Sequence, residues 1–145
     1  MEKDSGVSTV LSEVLMIALV LFLVPVVTIS LINQLPEDRV PTVNIKMDVN
    51  YSSDKLLVTL YHKGGDYIKK SDISIIIRTN NNGIIHEYGP YHQDELVFNP
   101  SGSQVFDLGD SVTNPVINTH LDAGTKIDVS LISKNSVIYP GVHFL

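Results

Sequence analysis

Charged residues vanish from the chain between Val14 and Ile32, a run of about 19 positions. At ~1.5 Å per helical residue that run reaches ~28 Å, close to the ~30 Å of a bilayer's hydrocarbon layer. Leucine, isoleucine, valine, methionine and phenylalanine fall on every side of the helical wheel, whereas a helix lying against a soluble core carries a single apolar stripe. The pattern predicts a helix surrounded by lipid or by other helices. Beyond Pro41 the period becomes two. Val43, Ile45, Met47 and Val49 alternate with Asn44, Lys46, Asp48 and Asn50, as in a strand buried on one face.

The same reading places strands at Lys55–His62, Asp72–Thr79, Ile84–Tyr88, Glu95–Phe98, Gln104–Leu108, Lys126–Ser133 and Val137–Phe144. Turn chemistry separates them: Asn81-Asn82-Gly83 suits positive φ, Gly64-Gly65-Asp66 a tight reversal and Pro100-Ser101-Gly102 a loop. Short strands at this spacing, without helical periodicity, predict an antiparallel immunoglobulin-like β-sandwich, with a partly open barrel as the alternative. The fold class is therefore α+β, a long N-terminal helix followed by the sandwich. Pro36, Pro41 and three charges between positions 33 and 42 mark a connector.

Two residues stand out in the helical segment. Glu13 lies at the edge of the apolar run, where an unpaired carboxylate is costly unless it sits at headgroup level or meets a partner. Pro25 lies mid-span; it donates no backbone hydrogen bond and crowds the carbonyl of Leu21, so a kink or local unwinding is expected there. A cleaved secretory signal does not fit, because the apolar run is too long and Asn33 to Arg39 lack a small-residue cleavage site. An uncleaved signal anchor does fit. Lys3 before the span and Arg39 after it are balanced and leave orientation open.

The 145 residues allow one ordinary domain plus this segment, and the formal net charge of -6 without a basic stripe speaks against nucleic acid as a partner. With no cysteine, the β domain must be held by its core alone. The chain has no nucleophile elbow, P-loop, dinucleotide or H-E-x-x-H pattern, and its five histidines (His62, His86, His92, His120, His143) lack ligand spacing. Neither an enzyme nor a cofactor is expected. Asp107-Leu108-Gly109-Asp110 reads as a polar turn rather than a calcium loop. Asn50-Tyr51-Ser52 is a possible N-glycosylation sequon at Asn50.

The stretch Gly6-Val7-Ser8-Thr9-Val10-Leu11-Ser12-Glu13-Val14-Leu15-Met16 resembles the N-terminal region of archaeal type IV pilins, with Thr9 where proline is usual and Ser12 where glycine is usual. Leu57-Val58-Thr59-Leu60-Tyr61-His62-Lys63-Gly64-Gly65-Asp66 resembles the strand and H-x-G-G-D turn of the same family. A turn-stabilising hydrogen bond is the expected role of His62 and Asp66.

The resemblance implies a leader over residues 1–6, cut between Gly6 and Val7 by a prepilin peptidase, an assembly helix over 7–35, a connector over 36–42 and an extracellular domain over 43–145. It further implies a structural subunit of an adhesion pilus. Such a subunit starts as a precursor in the cell membrane and then forms a homopolymer on the cell surface. Its partners would be the pilus assembly ATPase and membrane platform, and cell surfaces or other cells. Glu13 would neutralise the freed α-amino group of an adjacent copy. The alternatives are a monomeric membrane-anchored binding module and an archaellum filament subunit.

Overall fold

The computed structural model describes residues 4–32 and 39–145, with helix side chains described from 9 to 30. Two compact units divide at residue 39. The first holds α1, Asp4–Ile32, and every described side chain from Thr9 to Ser30 is exposed. The helical assignment is continuous through Pro25, the position where a kink or local unwinding is expected. Farther along, Thr28 Oγ1 donates to the Val24 carbonyl at 2.7 Å and Ser30 Oγ to the Val26 carbonyl at 2.9 Å. Both hydroxyls are thereby satisfied without water, as a helix in an apolar medium requires.

The second unit is the antiparallel two-sheet structure read from the alternation. In one sheet β1 (Val43–Ser52) pairs β2 (Lys55–Gly65), which pairs β8 (Ser111–Thr113), which pairs β6 (Val97–Asn99); β9 (Ile117–Asn118) also joins β2. The other sheet has the order β11 (Ser136–Phe144), β10 (Lys126–Ser133), β4 (Ile73–Asn81), β5 (Ile84–Tyr91). A small ladder joins β3 (Ile68–Lys69) to β7 (Val105–Phe106). Strand β10 matches its expected limits. The very short β3, β8 and β9 were not anticipated, because two or three residues are too few to show a period.

Three hairpins close through two-residue turns with positive φ at both positions or the equivalent glycine: Ser53-Asp54, Asn82-Gly83 and Lys134-Asn135. That geometry matches the twist of the strands it joins. The reversal expected at Gly64-Gly65-Asp66 is corrected by the register, since both glycines still pair with β1 across a bulge that leaves Lys63 without an opposite residue. Positive φ at Gly64 and Gly65 lets the strand bulge and continue, rather than turn.

Between the sheets lie Leu56, Val58 and Leu60 of β2, Val112 of β8 and Phe98 of β6, facing Ile73, Ile75 and Ile77 of β4 and Ile127, Val129 and Leu131 of β10. Each such side chain contributes about 1.5–3 kcal/mol when fully buried. Phe106 of β7 closes the layer against Phe98, ring to edge at 6.3 Å. Lys70, in the turn Lys70–Asp72, is also buried. Its Nζ donates to the Pro100 carbonyl at 2.7 Å and lies 4.9 Å from the centre of the Phe98 ring, so an acceptor and an aromatic face replace water around the cation.

Because this core is internal to the unit, residues 40–145 expressed alone are expected to be soluble and β-rich by circular dichroism, with one cooperative thermal transition. In that fragment Ile127→Ala should lose about 2–5 kcal/mol, while Ser130→Ala on the outer face of the same strand should change stability by about 0.5 kcal/mol or less. Similar losses at both positions in denaturant titrations would contradict this assignment of the inner face.

Candidate functional site

The chain enters the β domain at Thr42, and the backbone there is locked to the end of β2. Asp66 N–H donates to the Thr42 carbonyl and Thr42 N–H donates to Asp66 Oδ2, both at 2.9 Å. At the same bulged strand end, His62 Nε2 lies 3.0 Å from the Asp66 carbonyl. A carbonyl only accepts, so Nε2 carries the proton. The ring is fully buried, edge-on to Phe106 at 5.2 Å, and its Nδ1 has no hydrogen-bond partner. The hydrogen bonding expected of His62 and Asp66 is present, but it holds the bulged end of β2 and not a turn.

The Asp107–Asp110 turn is fastened to the same place. His62 N–H donates to the Asp110 carbonyl at 2.9 Å and Gly109 N–H to the His62 carbonyl at 3.0 Å. Inside the turn the carboxylates are occupied by backbone: Asp110 Oδ2 accepts from Asp107 N–H at 3.0 Å, and Asp107 Oδ1 from Leu108 N–H at 2.7 Å. This is the polar turn expected from the sequence.

At the other end of β2, about 33 Å away along an 11-residue strand, a different kind of cluster forms. His120 Nδ1 lies 2.9 Å from Asp54 Oδ1 in the β1–β2 turn, and His120 Nε2 lies 3.7 Å from Asp122 Oδ1. The Tyr51 hydroxyl donates to Asp54 Oδ1 at 2.9 Å and accepts from Leu121 N–H at 2.9 Å. Thr119 N–H donates to the Asp54 carbonyl at 2.9 Å, and the Tyr88 hydroxyl lies 2.9 Å from Thr119 Oγ1.

These contacts move the titrations. The hydrogen bond and charge of Asp54 push His120 above its ordinary value, against a slight loss of hydration. Hydrogen bonds from His120 and Tyr51 hold Asp54 below the usual carboxylate range. Sequence reading missed this cluster, because Asp54 and His120 are 66 positions apart and only the β1–β2 and β2–β9 pairings bring them together.

The remaining sequence-predicted residues stay apart. Gly6 and Val7 lie within the α1 backbone, which begins upstream of them at Asp4. Residues 1–3 of the expected leader and 36–38 of the expected connector lie outside the described residues. Glu13 is exposed and shares one side of α1 with Met16, Ile17, Val20 and Leu21. Asn50 is exposed on β1, opposite Leu57, so its side chain is open to solvent.

No family model matches the chain, and no curated protein matches it. Among solved structures, the chain is similar to the archaellum periplasmic stator protein FlaG from Sulfolobus acidocaldarius. The TM-score is 0.45 at 14% identity, over 73% of this chain and 100% of that one. A second similar structure is the complex of the archaellum periplasmic stator proteins FlaF and FlaG from the same organism, with a TM-score of 0.43 at 15% identity over 77% of this chain and 95% of that one. Both are partial likenesses of shape at low identity.

The junction at Thr42 is sensitive to a single methyl group. A Cβ on Gly65 would lie 2.2 Å from the Thr42 carbonyl oxygen, and φ there is +98°. Gly65→Ala should lose at least about 1–3 kcal/mol from the backbone conformation alone, whereas Gly102→Ala, with open space around it, should change stability by about 0.5 kcal/mol or less. Equal melting temperatures for the two variants would contradict the close approach.

Proposed function

We propose that this chain is a pilin-type structural subunit: a membrane-inserted precursor that polymerises through α1 and carries its β domain on the outside of the cell. One observation carries the reading. From Thr9 to Ser30 the helix is uncharged apart from Glu13, and every described side chain along it is exposed. Such a surface requires lipid before assembly and neighbouring helices after it, since water disfavours it by about 25 cal/mol for each Å². The resemblance of Gly6 to Met16 and of Leu57 to Asp66 to archaeal type IV pilins supports the choice of polymer over single anchor.

In this reading a prepilin peptidase cuts between Gly6 and Val7, and the new α-amino group meets Glu13 of an adjacent copy as both leave water. An assembly ATPase and membrane platform drive insertion, and the β domains meet other cells or surfaces. A second reading, an uncleaved and unpolymerised membrane anchor for the β domain, has one observation on its side: α1 begins at Asp4 and passes the Gly6–Val7 bond without interruption.

Processing separates the two. N-terminal sequencing of subunits from sheared cell-surface filaments should begin at Val7, and Gly6→Leu should retain Met1 and abolish filaments. Met1 found at the start of assembled subunits would reject the pilin reading.

Glu13→Gln tests the charge pairing. It deletes the charge while keeping shape, so stranding the α-amino group in a low-dielectric bundle should cost about 3–5 kcal/mol. Processed subunit should persist in the membrane fraction while surface filaments disappear. Normal filament yield in the Gln variant would remove Glu13 from assembly.

A further inference from the structure

Three segments distant in sequence meet at the end of the β domain away from Thr42: the β1–β2 turn, residues 119–122 after β9, and the β4–β5 turn. His120 is at their centre. Both of its ring nitrogens face carboxylate oxygens, Asp54 Oδ1 at 2.9 Å and Asp122 Oδ1 at 3.7 Å. A neutral imidazole has one N–H and must turn its lone pair toward one of these carboxylates, whereas an imidazolium donates to Asp54 and presents its second N–H to Asp122 at ion-pair distance. The cation is therefore the form that fits this bracket.

The carboxylates in turn reach the neighbouring segments. Asp54 Oδ1 also accepts from Tyr51 of β1, whose oxygen accepts the Leu121 N–H. Asn82 Nδ2 of the β4–β5 turn donates to Asp122 Oδ2 at 3.3 Å. Strand β5 contributes the Tyr88 hydroxyl, through Thr119. Among the described residues, the titratable or charged groups in this network are Asp54 and Tyr51 from the β1–β2 hairpin, Asp122 from the histidine's own segment and Tyr88 from β5.

We propose that His120 is a proton-operated clamp, closed when the ring is a cation bridging Asp54 and Asp122, that sets how firmly residues 119–122 are held against the β1–β2 and β4–β5 turns. Opening it loosens the end face of the domain and leaves the strand ladders in place, since the hydrogen bonds at stake are those of Thr119, Leu121 and Asn82; of these residues Leu121 alone reaches into the core. Histidine is suited to this, because its charge changes near neutral pH.

The pH window follows from the two shifts. His120 is raised above 6.5, so its contribution is fully present below about 6.5 and is lost as pH rises through the raised value. Asp54 is lowered below 3.8, so its contribution is present above about 3.8 and is lost as pH falls through the lowered value. The clamp is closed across mildly acidic pH and opens on the alkaline side.

The test is hydrogen exchange on the full chain in detergent micelles, read by mass spectrometry on peptides covering residues 116–123 and corrected for the intrinsic rate at each pH. Protection should be about two- to five-fold greater near pH 5 than near pH 8.5, the range expected of exposed ion pairs, with peptides from β10 unchanged. His120→Gln, which is never a cation, should flatten the difference, and Asp122→Asn should reduce it. The clamp is overturned if the parent chain shows no difference, if the Gln variant keeps it, or if Asp122→Asn leaves it at the parental value.

Discussion

A helix that is apolar on all sides has to be covered by something other than water, and the rest of this molecule is arranged around that requirement. The exposed run from Thr9 to Ser30 is long and apolar enough to cross a membrane and leaves its surface to lipid or to other helices. The β domain differs: it has no cysteine and gathers 17 buried apolar side chains, all its own, into one core. The hydroxyls of Thr28 and Ser30 follow the same logic on a smaller scale. They bond to carbonyls one turn back, because in an apolar surrounding an unmet hydroxyl is costly.

The division of labour was legible in the sequence because each half has a simple period. Val14 to Ile32 has no polar side, and β1 alternates cleanly: of the face read as Val43, Ile45, Met47 and Val49, Ile45 is buried and the other three pack half-buried against the core. The Asn82-Gly83 turn was also legible, since few residues tolerate positive φ there. What escaped were features made by pairing. Gly64 and Gly65 looked like a reversal, yet they form a bulge that keeps pairing with β1, and at Gly65 the Thr42 backbone approaches too closely for any side chain. Lys70 gave no sign of burial, because its acceptor, Pro100, is 30 positions away.

The two ends of the domain use different physics. Around Thr42 the ties are backbone hydrogen bonds plus one aspartate cap, with the buried His62 ring bonded to the Asp66 carbonyl. At the far end the ties run through an imidazole between two carboxylates, all substantially exposed, with side-chain accessibilities of 78% for His120 and 64% for Asp54. Exposed pairs of this kind are individually weak, which suits a surface that has to change and not a joint that has to hold. A cluster of this sort is invisible to pattern reading, because no local period relates Asp54 to His120.

The central claim is that other copies of the chain cover α1 after assembly. The absence of cysteine makes it directly measurable: single substitutions Val20→Cys, Leu21→Cys, Phe22→Cys and Leu23→Cys step around the helix by ~100° each and place one unique thiol on each side. Packed helices lie ~8–10 Å apart, within reach of a short bis-maleimide. In filaments sheared from the cell surface, at least one of these positions should give covalent dimers in high yield. Monomers alone at all four positions, with every thiol still reacting with a lipid-soluble maleimide, would mean that lipid and not a neighbouring subunit covers the helix, and would contradict the account.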